Sequence, residues 1–77
     1  MHLFLSIVLK TMQVTVNGSP HSFEQPPNLT RLLENLSLTG KRVAVERNGE
    51  IVPRSQFPDT LLADGDRLEI VVAVGGG

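Results

Sequence analysis

Ile70-Val71-Val72-Ala73-Val74-Gly75-Gly76-Gly77 is the stretch whose reading decides the fold of this chain. Its β-branched residues favour the pleated backbone of a sheet, and the run passes with no polar transition into glycine. Glycine has no Cβ, so a triglycine segment is able to thread a narrow channel and bring its last carboxylate up to another protein's chemistry. Extended, such a segment reaches about 10 Å past the last sheet residue. The expectation is a strand anchored in the fold, with the carbonyl of Gly77 as the reacting group and Gly75 and Gly76 as the part that threads.

Upstream of that stretch, Asp64-Gly65-Asp66 reads as a tight turn introducing a last strand from Arg67 to Val74. Leu68, Ile70 and Val72 alternate there with Glu69, Val71 and Ala73, and the first set is expected to face the core. At the other end of the chain, Met12-Gln13-Val14-Thr15-Val16 alternates in the same way before Asn17-Gly18, a strong hairpin signal. A return strand over roughly Pro20 to Glu24 follows, and Pro20 marks it as an edge. Asn28 is a candidate N-cap for a helix whose Leu29, Leu32, Leu33 and Leu36 form one apolar stripe, with Arg31, Glu34 and Asn35 turned to water. Gly40 is the expected stop. Val43-Ala44-Val45-Glu46-Arg47 reads as a third strand, and Asn48-Gly49 joins it to a short Ile51-Val52 strand that Pro53 ends. Arg54 to Ala63 has no sustained period and is expected to cross the domain end as irregular or 3₁₀ structure, pinned by Phe57, Leu61 and Leu62.

The order β-β-α-β-β-β points to an α+β domain, one mixed sheet of four to five strands with a single helix across one face. The opposite face then lacks a cover. Ala44, Val71 and Ala73 are expected to look outward there, beside the glycine tail, as a docking surface for a partner. Residues 12–77 form this one domain. Residues 1–11, nearly all apolar, are read as an upstream-start extension or as an extra strand paired with a sheet edge.

Composition narrows the function classes. Seven basic and eight acidic residues leave a formal charge of −1, which gives no electrostatic case for nucleic acid or an anionic membrane. The N-terminal apolar run is too short to span a bilayer and lacks the basic start and small-residue cleavage site of a secretion signal, so the expected location is the cytoplasm. No cysteine is present, which removes disulfides, thiolate nucleophiles and thiolate metal sites together. His2 and His21 are the only histidines, the second expected in a solvated turn region, and they make neither a metal site nor a catalytic pair. Asp59, Asp64 and Asp66 resemble weak cation ligands but read more simply as turn residues. No glycine-rich loop opens a helix to hold a phosphate. The chain is not expected to be an enzyme, to bind a metal or to hold a cofactor.

Two hairpins around one helix, the segment Val43-Ala44-Val45-Glu46-Arg47-Asn48 running on to Glu50-Ile51-Val52-Pro53-Arg54-Ser55-Gln56, the Asp64-Gly65-Asp66 turn and the Gly75-Gly76-Gly77 end together resemble the ThiS family, the small ubiquitin-like sulfur carriers of bacterial thiamine biosynthesis. The resemblance covers residues 12–77. It implies a β-grasp fold and a Gly77 carboxylate that is adenylated at the expense of ATP by a separate ThiF-type enzyme. The adenylate would be converted to a thiocarboxylate with sulfur from a cysteine desulfurase and consumed by a ThiG-type thiazole synthase. A molybdopterin-type sulfur carrier resembles the same fold and tail, and a non-covalent β-grasp interaction domain would share the fold with an idle tail.

Overall fold

The structure, a computed structural model, is described for residues 11–73; the expectations for residues 1–10, Val74, Gly75, Gly76 and Gly77 lie outside the described residues. Five strands, β1 (Met12–Val16), β2 (Ser19–Phe23), β3 (Val43–Arg47), β4 (Glu50–Val52) and β5 (Arg67–Val72), form one mixed sheet in the order β2-β1-β5-β3-β4. A single helix, α1 (Leu29–Asn35), and a 3₁₀ helix (Arg54–Asp59) complete the element order. The strand that leads to the glycines is thus the central one. It runs parallel to β1 and antiparallel to β3.

Each Asn-Gly pair closes a hairpin with both residues at positive φ, 50° and 85° at Asn17 and Gly18, 52° and 88° at Asn48 and Gly49. This is the type I′ geometry whose twist matches the flanking strands. The asparagines do more than turn the chain. The Asn17 side chain accepts from the Ile70 N–H at 2.8 Å and donates to the Ile70 carbonyl at 3.0 Å, while Asn48 accepts from the Arg67 N–H at 2.9 Å. Both hairpins therefore grip β5 from opposite sides.

The Asn28 carboxamide caps α1 by accepting from the Arg31 N–H at 2.8 Å, and its amide donates to the Pro58 carbonyl at 3.2 Å, tying the helix start to the 3₁₀ helix. A seven-residue helix is not stable by itself, so packing holds it: Leu29 and Leu32 are wholly buried, each contributing about 2 kcal/mol. They meet Val14, Val45, Phe57, Leu62, Leu68 and Ile70 in one core.

Four expectations are corrected. The helix closes before Gly40: Ser37 takes the left-handed conformation at φ 60°, its N–H donates to the Glu34 carbonyl, and the Leu38 N–H donates to the Leu33 carbonyl at 2.8 Å. That is a Schellman closure with serine where glycine is usual, and Leu38 folds back onto the core. Leu61 is 62% exposed rather than a core pin, because it sits in an extended bridge opposite Asn28 and only its neighbour Leu62 can face inward. Val72 is 39% exposed, since the short helix does not extend over the end of β5. His21 lies within β2 opposite Val14, half-buried, not in a turn region.

The Asp64-Gly65-Asp66 turn is confirmed, but Asp66 is more than a turn residue. Its carboxylate is buried and accepts from Arg47 Nε at 2.9 Å, Asn48 Nδ2 at 3.0 Å and the Ala63 N–H at 2.8 Å. Burial pushes this carboxyl upward; the Ala63 N–H, the Asn48 amide and the Arg47 guanidinium outweigh it and leave the pKa below the ordinary 3.8. A depressed folded-state pKa means stability that is present above the unfolded value and lost as pH falls through the folded one. Replacing Asp66 with Asn keeps the shape but turns an amide donor toward other donors. Asp66→Asn is expected to cost about 2 kcal/mol at neutral pH and to flatten the loss of stability below pH 3.8, read by urea unfolding across pH. Ser37→Gly, relieving a left-handed non-glycine residue, is expected to stabilise by about 0.5–1 kcal/mol in the same assay.

Candidate functional site

The end of β5 and the uncovered sheet face beside it form the candidate site. Alternation along β5 places Leu68 and Ile70 against the core, while Arg67, Glu69 and Val71 are exposed. Val71 lies directly opposite Ala44 of β3. Ala44, Val71 and Ala73 are all exposed, Val71 at 64%, and Val71 and Ala44 share the outward face. The last described ladder bond of the strand is donated by Ala73 to the Arg42 carbonyl at 2.9 Å. Gly75, Gly76 and Gly77 follow within four residues.

Sequence reasoning missed two features of this face. Ile51 of β4 is 74% exposed and lies opposite Glu46, which in turn lies opposite Glu69. The two-residue turn at Asn48-Gly49 was the available signal, because it fixes Arg47 against Glu50 and hence Ile51 against Glu46. Glu46 and Glu69 stand side by side on adjacent strands, an arrangement that costs stability, and among the described residues neither has a cation within 4.0 Å. The face therefore presents exposed aliphatic groups around an uncompensated pair of carboxylates.

Elsewhere the candidate ligands disperse into structural work. Asp64 accepts from the Gln13 N–H at 2.7 Å and Asp66 is spent on its own network, while Asp59 ends the 3₁₀ helix. Among the described residues no three His, Asp or Glu side chains are grouped as a metal would require, and no helix is long and apolar enough to cross a membrane.

A five-stranded mixed sheet with one helix across one face and a central strand leading into the glycine tail defines a small β-grasp domain built around its C-terminal strand. Residues 11–77 match the ThiS family. The chain is 39% identical to the thiamine biosynthesis protein ThiS of Geobacter metallireducens, whose crystal structure superposes with a TM-score of 0.72 over 86% of this chain and the whole of that one. It is 38% identical over 64 residues to the sulfur carrier protein ThiS of Thermus thermophilus, covering 83% of this chain and 98% of that protein. It is also 42% identical over 66 residues to a thiazole synthase of Paramagnetospirillum magneticum; that match takes in 86% of this chain but only 20% of the longer protein. The chain belongs to the ThiS family.

The register of β5 makes a sharp contrast between neighbours. Val71→Ser is expected to change stability by no more than about 0.5 kcal/mol, whereas Ile70→Ala, which opens a cavity under α1, is expected to cost about 2–4 kcal/mol. Urea unfolding of the two variants reads the difference, and the reverse order would mean that the strand is slipped by one residue.

Proposed function

We propose that this chain carries sulfur for thiamine biosynthesis on the carbonyl carbon of Gly77. It is a sulfur carrier protein, a co-substrate on which other proteins act, and not itself a catalyst. The observation that carries the reading is the placement of Val71 of the central strand and Ala44 of its neighbour β3 on the open face of the sheet, with the glycine segment following the central strand in sequence. Membership in the ThiS family supports it.

A terminal carboxylate is ionised at neutral pH and is a poor electrophile. Its oxygen attacks the α-phosphorus of ATP on a ThiF-type adenylating enzyme, pyrophosphate leaves, and the acyl carbon is activated. The terminal sulfur of a cysteine desulfurase persulfide displaces AMP, and a thiol cleaves the resulting acyl disulfide, leaving a thiocarboxylate and a disulfide on the thiol. The thiocarboxylate sulfur is the softer nucleophile and passes to a ThiG-type thiazole synthase. That partner is supported by the likeness of this chain to a fifth of a thiazole synthase, in which a domain of this kind is part of the same polypeptide. ATP is consumed on the activating enzyme, and the carrier holds no cofactor of its own.

In this scheme Gly75 and Gly76 admit the reacting carbonyl without side-chain clashes, and Ala44, Val71 and Ala73 contribute apolar area to the docked complex. A basic residue of the partner placed between Glu46 and Glu69 would offset their repulsion on docking. Incubation with the activating enzyme, ATP and a sulfur donor is expected to raise the intact mass of the chain by the exchange of one oxygen for sulfur. Deleting Gly76 and Gly77 should abolish that gain and leave the unfolding curve unchanged. Val71→Arg should raise the KM of activation about tenfold at unchanged stability. A full-length chain that gains no mass where a ThiS of known activity does would refute the carrier function.

A further inference from the structure

The open face is not the only surface feature near the end of β5. On the other side of the sheet, α1, the 38–41 loop and the 3₁₀ helix enclose a cleft of about 210 Å³. Its floor is apolar, formed by Leu38, Val43 and Phe57, and Lys41 and Arg54 stand at its rim. The cleft has a structural cause. Closure of α1 at Ser37 leaves the helix too short to reach the end of the sheet, so Val43 and Leu38 stay half-buried and Val72, the cross-strand partner of Val43, is 39% exposed.

Neither rim cation is used by the fold. Among the described residues Lys41 and Arg54 have no carboxylate within 4.0 Å and make no side-chain hydrogen bond, and Glu34, the acid of the cleft, pairs with Arg31. The volume falls below the roughly 300 Å³ at which small-molecule sites usually begin, and suits one large apolar side chain better than a nucleotide. Lys41 also lies next in sequence to Arg42, whose carbonyl holds Ala73. The cleft thus lies at the Ala73 end of β5, the end from which the glycines follow in sequence.

We infer that the cleft is a second docking site, on the helix side of the sheet, which takes an apolar side chain flanked by carboxylates from an enzyme that receives the tail. This rests on the carrier function proposed above and extends it: the domain is gripped on both faces of the sheet, by aliphatic contact around Ala44 and Val71 on one and by Lys41 and Arg54 on the other. Charge complementarity sets the chemistry of the occupant, because two cations with no carboxylate partner among the described residues, around an apolar floor, disfavour a basic or purely apolar segment.

The test uses the whole ¹⁵N-labelled chain, titrated with 3-phenylpropionate as a stand-in for the acidic and apolar groups of the partner. Amide signals of Gly40, Lys41, Arg54 and Phe57 are expected to shift while those of Ala44 and Val71 stay, and Lys41→Gln with Arg54→Gln should weaken the response about tenfold. An equal response to neutral 3-phenylpropanamide, or shifts spread over both sheet faces, overturns the inference. With the purified activating enzyme and thiazole synthase in place of the probe, Lys41→Glu with Arg54→Glu is expected to raise the Kd of at least one about tenfold. Unchanged Kd values for both overturn it, as does light scattering that shows the charge reversal to abolish self-association, which would assign the cleft to a second copy. Both rim side chains are exposed, and a thermal unfolding curve checks that the variants fold. Sulfur loading plays no part in the probe titration, so the carrier function and the cleft can fail independently.

Discussion

The two asparagine clasps on β5 are the constraint from which the rest of this structure follows. A central strand must be held on both edges, and here each edge is held by a hairpin whose turn residue also bonds the strand it flanks: Asn17 to Ile70 on the β1 side, Asn48 to Arg67 on the β3 side. The left-handed φ that the I′ turn requires is one that asparagine tolerates better than other residues with a side chain. Turn chemistry and strand anchoring thus fall on the same residue. Asp66 completes the arrangement. It draws Arg47, Asn48 and Ala63 into one part-buried network around its buried carboxylate at the start of β5, so the strand enters the sheet in a single register. A slip of one residue would break every one of these bonds and would exchange Val71 for Ile70 on the open face.

Holding the strand at its beginning has a consequence at its end. The core bonds and the buried charge gather at the Arg67 end, while Val72 and Ala73 sit where helix cover gives out. Packing therefore weakens along β5 toward the glycines. In the carrier function proposed above that gradient would be useful: the register is fixed by residues far from the glycine end, and the last residues of the strand are exposed. The shortness of α1 leaves the Lys41 and Arg54 cleft on the helix side, while Ala44 and Val71 are exposed on the opposite face, which no described helix covers.

Much of this was legible in the sequence, and what was not has definite physical reasons. Both Asn-Gly turns, the leucine stripe of α1, the limits of β3 and the outward face of β5 follow from local patterns with a period or a turn type behind them. The burial of Asp66 does not, because its side-chain partners Arg47 and Asn48 lie 19 and 18 residues away and only the folded topology brings them together. The end of α1 was placed too late because glycine is the usual residue at that closure, and Ser37 adopts the same left-handed backbone at a cost that the burial of Leu38 offsets. Leu61 and Leu62 are indistinguishable by hydrophobicity; the bridge between Asn28 and Leu61 decides which faces inward. At the candidate site the exposure of Ala44 and Val71 was readable from alternation, and that of Ile51 was missed. The pairing of Glu46 with Glu69 depended on inter-strand register, and the cleft beside Val43 on helix length.

The absence of cysteine from the chain fits chemistry carried by the main chain. A sulfur held on a side-chain thiol would tie reactivity to the pKa of that thiol and its surroundings. In the carrier function proposed above, an acyl sulfur at the Gly77 carbonyl would have no side chain beside it, and its reactivity would be set by whichever enzyme surrounds it. Selectivity must then come from the folded body, since a run of glycines offers a partner little to recognise. In a small domain with three aromatic residues, strand register and not bulk sets which side chains the surface presents. The clasps on β5 and the Asp66 network hold the register that sets Val71 and Ala44 on one face.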